Sequence, residues 1–147
     1  MSIVYQATCV AIAGRGVLIE GPPGSGKSSL ALALIDRGAV LVGDDGVMLD
    51  PRGSALIASP HPNTAGKLEV RNVGLIDLPF AGGVPIALVL RLDPDAPRFI
   101  DEAEAASIGG AVLPLVRLWP GSPMLALRAE LALAKYGLGE TTIDPFA

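Results

Sequence analysis

The sequence predicts an α/β fold in a single domain, residues 1–147, built around a phosphate-binding loop (P-loop) with a mixed, largely antiparallel sheet and few helices. Three observations carry this reading. The stretch Gly21-Pro22-Pro23-Gly24-Ser25-Gly26-Lys27-Ser28 fits G-x-x-x-x-G-K-[ST]. Only two helices are well marked, against seven or eight short strands joined by turns. A doubly wound parallel sheet would instead alternate strand and helix, with about a dozen residues per crossover. Finally, half of the residues are hydrophobic but only 4% are aromatic, so Leu, Ala, Val and Ile must build an ordered core.

In chain order, residues 3–13 read as a strand, Gly14-Arg15-Gly16 as a tight turn, and Gly16-Val17-Leu18-Ile19 as the strand that enters the loop, together a hairpin. A helix follows from Lys27 to Arg37, with Leu30, Ala31, Leu34 and Ile35 on one face and Gly38 as its stop. Ala39 to Val42 is a buried strand ending at Gly43-Asp44-Asp45-Gly46, and Val47 to Leu49 continues extended. Asp50-Pro51-Arg52-Gly53 has turn composition, and Ala55 to Ala58 is strand again. The stretch from Ser59 to Lys67 has no periodicity and two prolines, and reads as a mobile surface loop. Strands resume at Leu68 to Val70, Gly74 to Leu78 and Ile86 to Leu92. Asp93 to Pro97 is loop, Phe99 to Ala106 is expected as a short helix, and Val112 to Leu118 as a strand with Pro114 at an edge or near its start. Ser122 as N-cap and Pro123 as first residue open the last helix, in which Met124, Leu127, Leu131 and Ala134 recur until Gly137.

A net charge of −4 with no basic stripe argues against nucleic acid as a partner. Cys9, alone of its kind, lies in an apolar run and reads as a core residue. The greasy segment Leu78 to Leu90 is interrupted by Pro79, Gly82, Gly83 and Pro85 and is too short to span a bilayer. With no basic-then-apolar leader, the expected setting is soluble and cytoplasmic, with no membrane partner.

The loop sits where its chemistry needs it, between a strand and a helix. Its glycines let backbone N–H groups wrap a phosphate, and the helix N-terminus adds about half a positive charge behind it. Gly21 to Ser29 form the expected nucleotide contacts; Lys27 reaches the β- and γ-phosphates and the Ser28 hydroxyl holds Mg²⁺. Phosphoryl transfer further needs metal ligands and a proton acceptor. Asp44 and Asp45, at the end of the strand returning from the helix, supply two carboxylates, one for metal or its water and the other as base; Asp-Asp-Gly is also good turn chemistry. Glu69 and Arg71, two apart on one strand face, suit metal and phosphate together, or else form a weak ion pair on a solvated edge. His61 has no Cys or His companion at ligand spacing, which argues against zinc. Trp119-Pro120 reads as a packing or interface feature.

Three blocks in order, the loop, Arg37 to Asp45, and Leu68-Glu69-Val70-Arg71-Asn72-Val73-Gly74-Leu75-Ile76-Asp77, resemble the bacterial HPr kinase/phosphorylase family. The loop alone is generic, but the three together are specific, and the likeness runs over most of residues 4–136. The resemblance implies a phosphoenolpyruvate-carboxykinase-like fold and the short, C-terminal-domain-only form known from some proteobacteria. It also implies ATP- and Mg²⁺-dependent phosphorylation of a regulatory serine on HPr, the carrier protein of the sugar phosphotransferase system. By position, Lys27 and Ser28 bind phosphate and magnesium, Asp45 matches the proton acceptor, Glu69 the second metal ligand, and Arg71 steadies phosphate. The helix from Pro123 would help dock HPr, and long members are hexamers, so a homo-oligomer is expected.

The departures are specific. The family's histidine ahead of the loop aligns with Gln6, a signature glycine with Asn72, and the stretch tied to the reverse reaction reads Gly121-Ser122-Pro123. Arg98 is the one candidate for an arginine after the Val89-Leu90 strand. The expectation is a kinase with phosphorolysis weak or lost. Two alternatives stand beside it: a P-loop small-molecule kinase, and a non-catalytic nucleotide-sensing domain.

Overall fold

The computed structural model describes residues 2–139. Strands β1 (Ile3–Tyr5), β2 (Thr8–Ile12) and β3 (Arg15–Glu20) lead into helix α1 (Lys27–Asp36). Then come β4 (Val40–Gly43), β5 (Val47–Arg52), β6 (Ala55–Pro60), the hairpin β7 (Lys67–Val70) and β8 (Gly74–Asp77), and the long β9 (Val84–Leu92). The chain continues through β10 (Glu104–Ile108), β11 (Ala111–Leu118) and α2 (Leu125–Tyr136). The main sheet runs β1-β5-β6-β9-β3-β2-β4, with β11 also on β9 and β10 outside it. Among the named strands only β3–β9 and β9–β11 pair in parallel, so the sheet is mixed and mostly antiparallel, as expected.

Period-two alternation explains how Leu, Ala, Val and Ile suffice for a core. Cys9, Ala11, Leu18 and Val89 bury on one side of the sheet, against the opposing strands β5, β6 and β11. Their chain neighbours Val10, Val17, Ile19, Leu88 and Leu90 bury on the other, against α1 and α2. Both faces are covered, which is why these strands read as near-continuous apolar runs. α1 presents Leu30, Ala31 and Leu34 to the sheet. No helix among the described residues is long and apolar enough to cross a membrane.

Several expectations need correction. Residues 3–13 are two strands: β1 pairs with β5, and β2 forms the hairpin with β3 across Ala13-Gly14, both with positive φ (51° and 81°), a type I′ geometry. β5 continues through Asp50-Pro51-Arg52, and the turn falls at Gly53-Ser54. Pro51 is tolerated because the pairing with β1 ends at Leu49, leaving its nitrogen side without a ladder partner. The stretch expected as a helix over Phe99–Ala106 contains none; Glu104–Ile108 is a strand, because Gly109-Gly110 (φ 58° and 84°) closes a hairpin onto β11. Helix α2 starts at Leu125, not Pro123, although Ser122 Oγ does accept a bond from the Met124 N–H at 2.9 Å.

α2 also turns a different face inward. Ala129, Ala132 and Leu133 are buried, while Met124, Leu131 and Ala134 are exposed. The inward stripe is Leu125, Ala126, Ala129, Ala132, Leu133 and Tyr136, with Arg128 and Lys135 on the exposed side. Arg15 ties its end down, donating to the Leu133 and Leu138 carbonyls. Pro114 stands in β11 just before the parallel register with β9 begins at Leu115.

Candidate active site

Between β3 and α1 the chain makes a tight glycine-rich loop at the C-terminal end of a strand flanked in parallel by β9. Gly21 is required by close approach, since a Cβ there would lie 2.5 Å from Ser25 Oγ and 3.2 Å from Leu92 Cβ. Gly26 takes a left-handed backbone (φ 101°) at the N-cap of α1. No side chain caps this helix and no acid lies in its first turn. Its free N–H groups and positive dipole end are therefore left for an anion. Ser25 Oγ is buried with no hydrogen-bond partner among the described residues. An orphan hydroxyl inside a cradle of free donors fits a phosphate group.

Lys27 folds back over the loop, donating to the Gly21 carbonyl at 2.9 Å and the Pro22 carbonyl at 3.2 Å. Ahead of α1 opens a cleft of about 870 Å³. Pro23, Gly24, Gly26, Lys27, Ser28 and Ser29 form one wall of it, and Asp44, Asp45, Glu69 and Arg71 the others. Gly21 and Pro22 line the neighbouring cleft instead, and Ser25 lines neither. The three sequence blocks thus meet around one cavity.

Asp44 joins them. Its Oδ1 accepts from Ser28 Oγ at 2.7 Å and from Thr8 Oγ1 at 3.1 Å, and its Oδ2 accepts from the Glu69 N–H at 3.2 Å. Asp45 is different: it lies past the end of β4, exposed, with a left-handed backbone (φ 61°), and its carboxylate has no partner among the described residues. The two acids are therefore separated by backbone geometry, not by strand alternation. Glu69 is in β7, but Arg71 is not: the strand stops at Val70, and Arg71 opens the turn closed by the Val73 N–H to Val70 carbonyl bond of 3.0 Å. No ion pair joins Glu69 and Arg71 among the described residues.

Nowhere among the described residues do three His, Cys, Asp or Glu side chains gather as a ready metal cage. Mg²⁺ usually takes only one or two carboxylates plus phosphate oxygens and water. The Ser28 hydroxyl, Asp44 and Glu69 on one cavity fit that sparse donor set.

A second cleft of about 540 Å³ lies on the other side of the loop's entry, at the C-terminal ends of β3, β9 and β11. Gln6 lines this one, so the residue aligned with the family histidine is not among those lining the Asp44–Asp45 cavity. Glu20, its side chain 13% exposed, accepts from Tyr5 Oη and from Arg91 at 2.7 and 3.1 Å. Burial, then the Glu20 contact, pushes the Tyr5 phenol up to about 12. Arg117 binds Asp93 at 3.1 Å and Glu104 at 2.8 Å, and these contacts raise its pKa further. Arg98 is exposed and lines neither cleft. Arg91 and Arg117 escape a sequence reading because their partners are 71 and 13 to 24 residues away. Thr8 escapes it too, for a single threonine in an apolar strand carries no motif.

Elsewhere, Cys9 is buried and its thiol is pushed up to about 12 by desolvation, which makes it unreactive. His61 accepts from the Asn63 N–H at 3.2 Å within its own turn. The stretch expected as a loop from Ser59 to Lys67 is shorter, since Ser59 and Pro60 belong to β6 and Lys67 to β7.

A mixed-sheet α/β domain whose glycine-rich loop faces a pair of acids just past the end of the next strand is the class these features define. The chain belongs to the HPr Serine kinase C-terminal domain family, whose model matches residues 1–86. It is 32% identical over 127 residues to an HPr kinase/phosphorylase of Chlorobium phaeobacteroides (strain BS1), covering 78% of this chain and 38% of that protein. With the HPr kinase/phosphorylase of Clostridium acetobutylicum it shares 46% over 79 residues, 54% of this chain and 26% of the relative. The chain thus spans well under half of these curated relatives. Among solved structures, the Hpr(Ser) kinase/phosphatase from Coxiella burnetii superposes with a TM-score of 0.77 at 28% identity, covering 88% of each chain.

Proposed function

We propose that this chain is a single P-loop kinase domain, related in fold to phosphoenolpyruvate carboxykinase, that transfers the γ-phosphate of ATP to a serine of HPr and so regulates the sugar phosphotransferase system in the cytoplasm. The observation that carries the reading is the division of labour between adjacent acids: Asp44 is engaged by Ser28, Thr8 and Glu69, while the Asp45 carboxylate has no partner among the described residues and lines the same cleft. An engaged carboxylate is a fixed element of a metal site; a free one can accept a proton. Family membership, and the names of the relatives matched, support HPr as the acceptor.

In this reading the loop N–H groups and the start of α1 hold the β- and γ-phosphates. Lys27 exchanges its two carbonyl acceptors for phosphate oxygens. Ser28 and Glu69, with Asp44 behind Ser28, would hold Mg²⁺, which would supply charge neutralisation of the phosphates. The acceptor serine gives its proton to the Asp45 carboxylate as its oxygen bonds to the γ-phosphorus, the bond to the β–γ bridging oxygen breaks, and ADP leaves. Arg71 steadies the transferred group from the opposite wall.

The reverse phosphorolysis is proposed to be weak, on the strength of Gln6 and Gly121-Ser122-Pro123. Asn72 no longer supports that argument. Its φ of 71° is a left-handed conformation that glycine and asparagine both adopt readily, so the exchange preserves the turn. A homo-oligomer, with α2 helping to dock HPr, completes the proposal.

The test is transfer of label from γ-labelled ATP with Mg²⁺ and purified HPr. Label on an HPr serine, lost in Lys27→Ala and in Asp45→Asn, is the expected result. ATP binding without turnover points to a sensor domain, and label on free metabolites to a small-molecule kinase; either overturns the reading.

A further inference from the structure

Thr8 is the one polar residue among the described residues that is buried, at 1% exposure. A hydroxyl in such a place needs partners, and both lie on the same turn. It donates to Asp44 Oδ1 at 3.1 Å and accepts from the Asp45 N–H at 3.5 Å. The sheet explains how it gets there. β2 and β4 pair from Ala11↔Val40 to Cys9↔Gly43, with a bulge between Cys9 and Val10, and the ladder stops at Gly43. Thr8 is the next residue along β2, so its side chain extends the pairing where the backbone of β4 turns away.

That turn is where the two acids separate. Asp45 has φ 61°, a left-handed conformation that Asp tolerates better than most non-glycine residues but that is not its default, so its surroundings help select it. Of the groups touching the Asp44–Asp45 pair, the Ser28 hydroxyl and the Glu69 N–H bond only to Asp44. Thr8 alone bonds to both residues.

We propose that Thr8 is a positioning residue for phosphoryl transfer: its hydroxyl clamps the Asp44–Asp45 turn so that the Asp45 carboxylate stays free and facing the γ-phosphate cleft. The claim rests on the kinase reading above. It extends that reading to a residue that lines the same cleft and acts through the two acids it bonds.

Thr8→Val keeps the shape and removes the hydroxyl; Thr8→Ser keeps the hydroxyl. With full-length protein, Mg·ATP and HPr, Thr8→Val is expected to lower kcat about 10- to 100-fold, the penalty of a slightly misplaced reacting group. KM for ATP and calorimetric Mg·ATP affinity should stay within about twofold, and Thr8→Ser within about threefold of wild type in kcat. Equal losses in kcat and ATP affinity, an unchanged kcat in Thr8→Val, or failure of Thr8→Ser to retain activity would each overturn the proposal. A crystal structure of Thr8→Val, or of Thr8→Ser should Thr8→Val fail to fold, decides the geometry separately. Asp45 leaving the left-handed region in Thr8→Val, or holding it in Thr8→Ser with the hydroxyl still bonded to both acids, supports the clamp. Asp45 unmoved in Thr8→Val, or Thr8→Ser without those bonds yet unmoved, refutes it. Should wild type bind Mg·ATP but label nothing, the kinase reading fails, and these structures still judge the clamp.

Discussion

Two clefts share the entry to the glycine-rich loop, and they treat charge in opposite ways. In the one at the ends of β9 and β11, Glu20 meets Tyr5 and Arg91, and Arg117 meets Asp93 and Glu104. Both of its arginines are paired with acids, so the cleft braces the strand ends from which the loop springs. In the one facing α1, the helix N-terminus is uncapped, and Asp45, Glu69 and Arg71 have no ion-pair partners among the described residues. Unsatisfied groups gathered on one cavity are tolerated when a ligand completes them. The contrast also follows the family match: the open cleft is built wholly from residues within 1–86, whereas Arg91, Asp93 and Arg117 of the paired one lie beyond it.

The largest expected effect is on chemistry in the open cleft. Asp45→Asn should lower transfer to HPr by about 10³-fold, within the range lost when a general base is removed, while the folded far-ultraviolet spectrum is retained. The equivalent change in the paired cleft should do the reverse. Glu20→Ala strands Arg91 and the Tyr5 hydroxyl, and urea titration should show a loss of about 2 kcal/mol, below the 3–5 kcal/mol of a fully buried pair because Arg91 is 38% exposed. Mg·ATP affinity in that variant should stay close to wild type. A Glu20→Ala protein that is stable but inactive would erase the distinction between the clefts.

A smaller effect comes from the core beneath the sheet. The Cys9 thiol has its pKa raised from 9.0 to about 12 by burial, and the Tyr5 phenol from 10.0 to about 12. Both groups are held neutral in the folded protein but ionise sooner in the unfolded chain. Their stabilisation is complete below pH 9 and is lost as the pH rises toward 12. At pH 10, Cys9 alone removes on the order of 1 kcal/mol. Urea titrations at pH 8 and pH 10 should therefore show a shallower decline for Cys9→Ala than for wild type. Smallest is Asn72 on the far wall of the open cleft. Asn72→Val should destabilise by about 1 kcal/mol through the left-handed φ of 71°, whereas Asn72→Gly should change stability by less than about 0.5 kcal/mol.

Much of the open cleft was legible because its parts are local signals. A strand, a glycine-rich loop and a helix stand together over residues 15–36, and Asp44-Asp45 and Glu69-Val70-Arg71 are short charged islands between apolar runs. The mixed sheet followed from strands joined by turns. What escaped was decided by distant pairing. Residues 104–108 are strand because β11 folds back across two glycines, an override of local helical composition. Pro51 looks like a turn until one sees that β1 ends before it. The inward face of α2 escaped because Met124, Leu127, Leu131 and Ala134 also recur at helical spacing, beside the Leu125–Tyr136 stripe that is buried. Thr8 escaped too, because its importance appears only when β2 runs one residue past its ladder with β4.

A crystal structure with Mg²⁺ and a non-hydrolysable ATP analogue is the most direct measurement. The terminal phosphate is predicted to lie between Lys27 and Asp45, with Glu69 and Arg71 on the opposite wall. A nucleotide seated instead between Tyr5 and Arg117, or a terminal phosphate remote from Asp45 and Glu69, would contradict the account.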